Sequence, residues 1–173
     1  MLPAKTDFEG VLKALVNARV EFIVIGGVAA IAHGGARATY DVDVVYARNR
    51  DNVRRVVNAL GSFRPYLRGA PKGLPFVWDE RTVWNGLNFT LETTLGDVDL
   101  LGEVTGGGTY QELLGAAEEV QLLGQRCRVV TLEKLIQLKR AASRPKDLES
   151  IAELQALLEE RRLQQGNPPK SSS

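Results

Sequence analysis

Four aspartates stand in two pairs, each with one residue between its members: Asp41-Val42-Asp43 and Asp97-Val98-Asp99. Val42, Val44, Val98 and Leu100 alternate with them, which is the period of a half-buried β-strand. Residues two apart on a strand leave the same face ~6–7 Å apart, so each pair aims both carboxylates one way. Aspartate is depleted in strands, so carboxylates in phase need a reason. Two carboxylates ~4 Å apart repel by several kcal/mol at an effective dielectric near ~20. A divalent cation reverses that sign, and oxygen-only ligands favour Mg²⁺. The blander reading is a solvated strand face or turn aspartates. It suits Asp97, which directly follows the turn glycine Gly96, better than Asp99, which lies between Val98 and Leu100.

A second feature precedes the first aspartate pair. The apolar run Phe22-Ile23-Val24-Ile25 ends in Gly26-Gly27 and leads into Val28-Ala29-Ala30-Ile31-Ala32-His33. A strand that turns through glycines into a helix leaves backbone N–H groups free beside a positive helix end, where phosphate oxygens bind well. Most Gly-Gly pairs are only turns, so the spacing carries the argument. Fourteen positions separate Gly27 from Asp41, room for one short helix and a return to a neighbouring strand. Phosphate cradle and metal-binding pair would then lie side by side, as nucleotidyl transfer requires.

These groups need elements to position them. Thr6 and Glu9 have capping-box spacing, and Phe8, Val11, Leu12 and Leu15 recur at helical intervals, predicting a helix over 7–18. Buried strands are predicted at 22–25 and 41–46, a short helix at 28–33, and a helix at 50–60 with Val53, Val56, Val57 and Leu60 on one face. Residues 61–75 show no period and read as a loop. Hairpins are predicted from 87–94 with 97–102, and from 120–123 with 126–130 around Gly124-Gln125. A short helical patch is expected at 110–114. Thr131 caps a helix to about Ala142, and Pro145 opens a last helix to about Arg162. The expected architecture is α+β: a small mixed sheet flanked by helices over 1–130, helices 131–163 packed on the same domain, and a disordered tail at 164–173.

Composition agrees with one domain. The chain has 173 residues, 22 Lys+Arg against 21 Asp+Glu, 44% hydrophobic and 25% charged residues, and a net charge of +1, all ordinary for a soluble globular protein. Near-neutrality leaves no global electrostatic footprint for nucleic acid or membrane. The single Cys127 cannot form an internal disulfide, and with one histidine it excludes a Cys/His zinc site. Met1-Leu2-Pro3-Ala4-Lys5 is followed by no long apolar stretch, and no run approaches the ~20 residues of a membrane span. A cytoplasmic protein without a membrane partner is expected.

The combination resembles the nucleotidyltransferase superfamily that includes DNA polymerase beta. Its signature is a Gly-Gly or Gly-Ser turn, a short helix, an Asp-x-Asp strand and a third Asp on a later strand. The matching residues here are Gly26-Gly27, Asp41-x-Asp43 and, by its apolar flanks, Asp99. The stretch Ile25-Gly26-Gly27-Val28-Ala29 … His33-Gly34 … Arg37-x-Thr39-x-Asp41-x-Asp43 is similar to small bacterial nucleotidyltransferases. These include AbiEii-like toxins of abortive-infection and toxin–antitoxin systems, and antibiotic nucleotidyltransferases. The ending Leu138-Lys139 … Arg144-Pro145-Lys146-Asp147-Leu148 … Ile151 resembles their helical tail. The likeness runs over roughly 20–155. It implies a nucleotidyltransferase fold, two Mg²⁺ on Asp41, Asp43 and Asp99, an NTP donor, and Asp99 as general base or orienter of the attacking hydroxyl. The Gly-Gly form lacks the serine hydroxyl of the Gly-Ser form, and a large extra domain to hold tRNA or a template is not expected within these 173 residues. An RNA end, a protein side chain and a small molecule all stay open as acceptor, with a cognate protein partner as a further expectation. The rival reading is a nucleotidyltransferase-like binding module without turnover, of regulatory or antitoxin type.

Basic residues complete the candidate site. Arg37, just before the carboxylate strand, is within reach of a triphosphate. Lys139 continues the apolar stripe of Leu132, Leu135 and Ile136, and a lysine on a buried face needs an anion. Asp147 falls with Ile151, Leu154 and Leu158 on the last helix, so an inward Lys139–Asp147 pair is expected, bordering the nucleotide. Lys146 is a further cation for the phosphates. His33 reads as structural or capping, Trp78 and Trp84 as packing residues rather than base-stacking ones, and Cys127 as core.

Overall fold

The computed structural model describes residues 5–142, 144, 145 and 147–166. Its elements begin with helix α1 (Phe8–Asn17), strand β1 (Phe22–Ile25), helix α2 (Gly26–Ala32), strand β2 (Asp41–Tyr46) and helix α3 (Arg50–Leu60). Strand β3 (Tyr66–Leu67), helix α4 (Glu80–Asn85), strands β4 (Asn88–Thr93), β5 (Gly96–Leu101), β6 (Glu103–Val104) and β7 (Gly108–Thr109) follow. The rest comprises helix α5 (Tyr110–Leu113), strands β8 (Ala117–Leu122) and β9 (Gln125–Val130), and helices α6 (Leu132–Ala142) and α7 (Asp147–Gln164).

Seven strands form one mixed sheet in the order β3-β4-β5-β2-β1-β9-β8. β2 runs parallel to β5 and β1 parallel to β9, while the other pairings are antiparallel. The expected mixed sheet with flanking helices is thus present. β1 lies inside the sheet and all four of its residues are buried, as its unbroken apolar run demands. On β2, Val42, Val44 and Val45 are buried while Asp41 and Asp43 are half-buried, so the alternation read from sequence is the alternation of faces. Val11, Leu12 and Leu15 bury the inner side of α1 against the sheet and α3; α2 packs on α6, and α6 on α7. No helix among the described residues is long and apolar enough to cross a membrane.

Local signals differ from expectation in several places. Asp7, not Thr6, caps α1, its side chain accepting from the Gly10 amide at 2.9 Å. Thr6 is used elsewhere: its hydroxyl donates to the Tyr40 carbonyl at 2.5 Å and accepts from the Asp97 amide at 3.0 Å. It therefore ties together the entries of both aspartate strands. α2 starts at Gly26 rather than Val28. The expected loop at 61–75 contains the edge strand β3, whose two residues are too few to show a period. The last helix reaches Gln164, two residues past its expected end and into the expected tail, of which residues 167–173 lie outside the described residues.

Residues read as structural have structural partners. His33 is buried; its Nε2–H donates to the Val130 carbonyl at 2.7 Å, which leaves Nδ1 to accept from Arg161 at 3.3 Å. The ring thereby joins the end of α2 to β9 and α7. Trp78 donates to the Val57 carbonyl and packs edge-on against Phe89. Trp84 is half-exposed and lies against the Arg48 and Arg50 guanidinium groups. Cys127 is buried, and burial pushes its thiol up to about 11.

Candidate active site

The parallel pairing of β2 with β5 builds the site. Asp41 stands opposite Asp97 and Asp43 opposite Asp99, so all four aspartates share one face. Carboxylate oxygens of Asp41, Asp43 and Asp99 all lie within 4.8 Å of one another. Burial, and then the negative charge of Asp41, push the Asp43 carboxyl up to about 8. Asp41 is raised as well, by burial first and by Asp99 second, with Arg68 opposing. Three acids held this close in a half-buried site favour a proton or a cation among them.

Gly26 and Gly27 fit against this cluster because they lack side chains. Gly26 has φ +67°, and a Cβ there would sit 2.9 Å from the Asp43 carboxylate carbon and overlap its Oδ2. At Gly27 a Cβ would stand 2.5 Å from Thr39 Cβ. The glycine pair is therefore required at these positions by the approach of β2 and of the loop leading into it. The main chain of the β1–α2 turn lies directly beside the carboxylates, and the first-turn amides of a helix have no intrahelical partner.

A cavity of about 790 Å³ joins these parts, within the size range of small-ligand sites. Gly26, Gly27, Arg37, Asp41, Asp43, Asp99 and Lys139 all line it, whereas Asp97 does not. Their partners were not all foreseen. Arg37 pairs with Glu149 at 2.8 Å and Glu153 at 3.3 Å on α7, and the hydrogen bond it donates to Glu149 is the chief cause that pushes its guanidinium further up. The expected Lys139–Asp147 pair does not form. Asp147 is buried and bonded to Arg144 at 2.9 Å, because the turn before α7 brings Arg144 onto the carboxylate three positions later. Lys139 forms no ion pair with a described residue and faces the cavity. Lys146 lies outside the described residues.

Sequence reasoning missed Arg68. Its guanidinium reaches Asp99 at 2.7 Å, Asp97 at 3.4 Å and Asp41 at 4.0 Å. No local signal marks it, because Arg68 follows the two-residue strand β3, and only the pairing with β4 carries it to the carboxylates.

Residues 90–166, less than half the chain, match the family described as "Nucleotidyl transferase of unknown function (DUF2204)". The segment includes Asp99 and Lys139 but not Asp41 and Asp43. The lincosamide antibiotic adenylyltransferase LnuA, solved with lincomycin bound, superposes with a TM-score of 0.58 at 12% identity, over 89% of this chain and 99% of that one. The fold is a nucleotidyltransferase fold. Weaker likenesses are to a Thermotoga maritima protein described as a nucleotidyltransferase (TM-score 0.49, 16% identity, 87% of this chain and 89% of that one) and to the antibiotic-resistance factor ANT(2'')-Ia (0.47, 16%, 90% and 91%). No curated protein sequence matches the chain. Within the nucleotidyltransferase fold, the carboxylate cluster sits on the two parallel central strands and the glycine turn beside it.

Proposed function

We propose that this protein is a Mg²⁺-dependent nucleotidyltransferase that moves a nucleoside monophosphate from an NTP to a hydroxyl of a small molecule. The observation that carries the reading is the trio Asp41, Asp43 and Asp99, with oxygens within 4.8 Å, next to a glycine turn in one cavity. The donor set is all oxygen and bears a charge excess that a hard divalent cation relieves, so the residues fit Mg²⁺. Asp41, Asp43 and Asp99 would hold two ions, which when bound neutralise the triphosphate and make the acceptor hydroxyl more acidic.

The chain's own groups do the rest. Amides of Gly26 and Gly27 hold phosphate oxygens, and Lys139, the cavity lysine without an ion-pair partner among the described residues, adds a positive charge to them. Arg37 contributes only by exchanging Glu149 or Glu153 for phosphate, since both already hold it. Asp99 takes the proton as the hydroxyl oxygen bonds to the α-phosphorus, while the bond from that phosphorus to the bridging oxygen breaks and pyrophosphate leaves. A small acceptor is supported by the shared fold with an adenylyltransferase solved with a small antibiotic bound. A toxin–antitoxin or phage-defence setting with a cognate protein partner rests only on the likeness of residues 25–43 and of the ending 138–151 to small bacterial nucleotidyltransferases.

The test is pyrophosphate release from each Mg²⁺-NTP with a panel of hydroxylated small molecules, total RNA and protein. Turnover on a small molecule that disappears in Asp99→Asn is the expected result. Label transferred to RNA or protein instead would overturn the acceptor. Tight nucleotide binding without turnover on any acceptor would leave a binding module and refute the enzyme.

A further inference from the structure

The fourth aspartate and the unforeseen arginine have no part in the chemistry above, yet they touch it. Arg68 is fixed by its backbone, its amide donating to the Thr90 carbonyl at 2.9 Å, and only its side chain is free to choose partners. That side chain is poorly satisfied where it lies. One terminal nitrogen bonds Asp99 at 2.7 Å and the Leu91 carbonyl at 2.8 Å. The other stands 4.0 Å from Asp41, beyond hydrogen-bond range, and the buried Nε has no hydrogen-bond partner. A guanidinium settled in one permanent ion pair usually takes its carboxylate in a two-pronged grip. This one is held by the summed charge of three carboxylates, two of which are the proposed metal ligands Asp41 and Asp99. The third, Asp97, is 3.4 Å from the unsatisfied Nε and does not line the cavity. Glu92, opposite Asp97 on β4, is occupied by Lys72.

Resting on the metal site proposed above, we propose that Arg68 and Asp97 form a two-position counter-ion device. In the metal-free protein Arg68 neutralises Asp41 and Asp99; when a divalent cation takes those two carboxylates, the guanidinium moves onto Asp97. Cation and guanidinium carry like charge and compete for the same oxygens, so they cannot both be held there. Asp97 makes the exchange possible by giving the displaced charge a partner on the same face, opposite Asp41 and two residues from Asp99. The device keeps the carboxylates together without metal, at the cost of weaker metal binding.

Mn²⁺ binding without nucleotide, measured by calorimetry, tests this on four proteins: wild type, Arg68→Gln, Asp97→Asn and the double variant. Arg68→Gln is expected to bind Mn²⁺ about tenfold more tightly, because the competitor is gone. Asp97→Asn is expected to bind about tenfold more weakly, because the guanidinium then has nowhere to go. In the Arg68→Gln background the Asp97 substitution is expected to change affinity less than twofold. If the two effects simply add, Asp97 acts only as one more negative charge and the device is refuted. Equal affinity in wild type and Arg68→Gln refutes it as well. Asp43→Asn separates the two readings: if it binds Mn²⁺ as wild type does, or if no protein binds at all, the metal site itself is wrong. Should Arg68→Gln fail to fold in chelator, Arg68→Met, which also removes the charge but keeps an apolar stem, carries the same comparison, with tighter Mn²⁺ binding than wild type expected.

Discussion

The acidity of Asp43 allows the sharpest test of the site through stability rather than activity. Its carboxyl is pushed up to about 8 by burial and by Asp41, against ~3.9 for a free aspartate. The folded protein therefore keeps a proton that the unfolded chain has lost between about pH 4 and pH 8. Because the folded-state value is the higher one, this group's stabilisation is fully present below ~4 and is lost as the pH rises to about 8. Without relaxation the gap corresponds to ~5 kcal/mol. Water entering the open cavity screens the repulsion, so ~2 kcal/mol is the expected loss between pH 6 and pH 9. In a chain of 173 residues that is a fall in Tm of ~4–8 °C. Asp43→Asn keeps the shape of the protonated acid and cannot ionise. In chelator it should match wild type at pH 6 and exceed it by ~4–8 °C at pH 9. Added Mg²⁺ should raise the wild-type Tm at pH 9 and leave the variant unchanged. Thermal unfolding followed by circular dichroism reads all of these. If Asp43→Asn is less stable than wild type at pH 9, or falls as steeply with pH, the charge crowding assigned to this face does not exist.

Other substitutions probe the frame around the cluster. Gly26→Ala strains a left-handed position and drives a methyl into Asp43, so a loss of ~2–4 kcal/mol in urea unfolding should accompany loss of Mn²⁺ binding. Arg144→Ala leaves Asp147 buried without its partner and should cost ~1–3 kcal/mol, whereas Lys139→Ala should change stability by less than ~0.5 kcal/mol yet weaken Mg²⁺-NTP binding in calorimetry. The reverse ranking would assign Lys139 to packing and Arg144 to nucleotide binding. Cys127, buried with a thiol at about 11, should resist disulfide reagents at pH 8 until denaturant is added; fast labelling of the native protein would show that β9 opens.

What the residues alone determined were local patterns with physical periods. Alternation of Asp41 and Asp43 with Val42 and Val44 marks a strand with one wet face, and the unbroken run Phe22–Ile25 marks a strand wet on neither. Gly26-Gly27 followed by Asp-x-Asp after one helix's worth of chain points to a turn packed beside carboxylates, and every residue chosen on that ground lines one cavity. Partners across the chain were beyond such reading. Lys139 and Asp147 each fall on the inward stripe of their own helix, but the turn before α7 delivers Arg144 to the acid instead. Asp97 looked like a turn residue because pairing is invisible in one strand; the parallel register of β2 with β5 puts it on the same face as the other three. Arg68 had no pattern at all. A long side chain just after a two-residue edge strand is placed by hydrogen bonds to β4, and these form only once the sheet has assembled. The sequence therefore determined which carboxylates gather, through period and spacing, which are local. The tertiary structure decided which cations answer them, because electrostatic partners are set by distance in space and not along the chain.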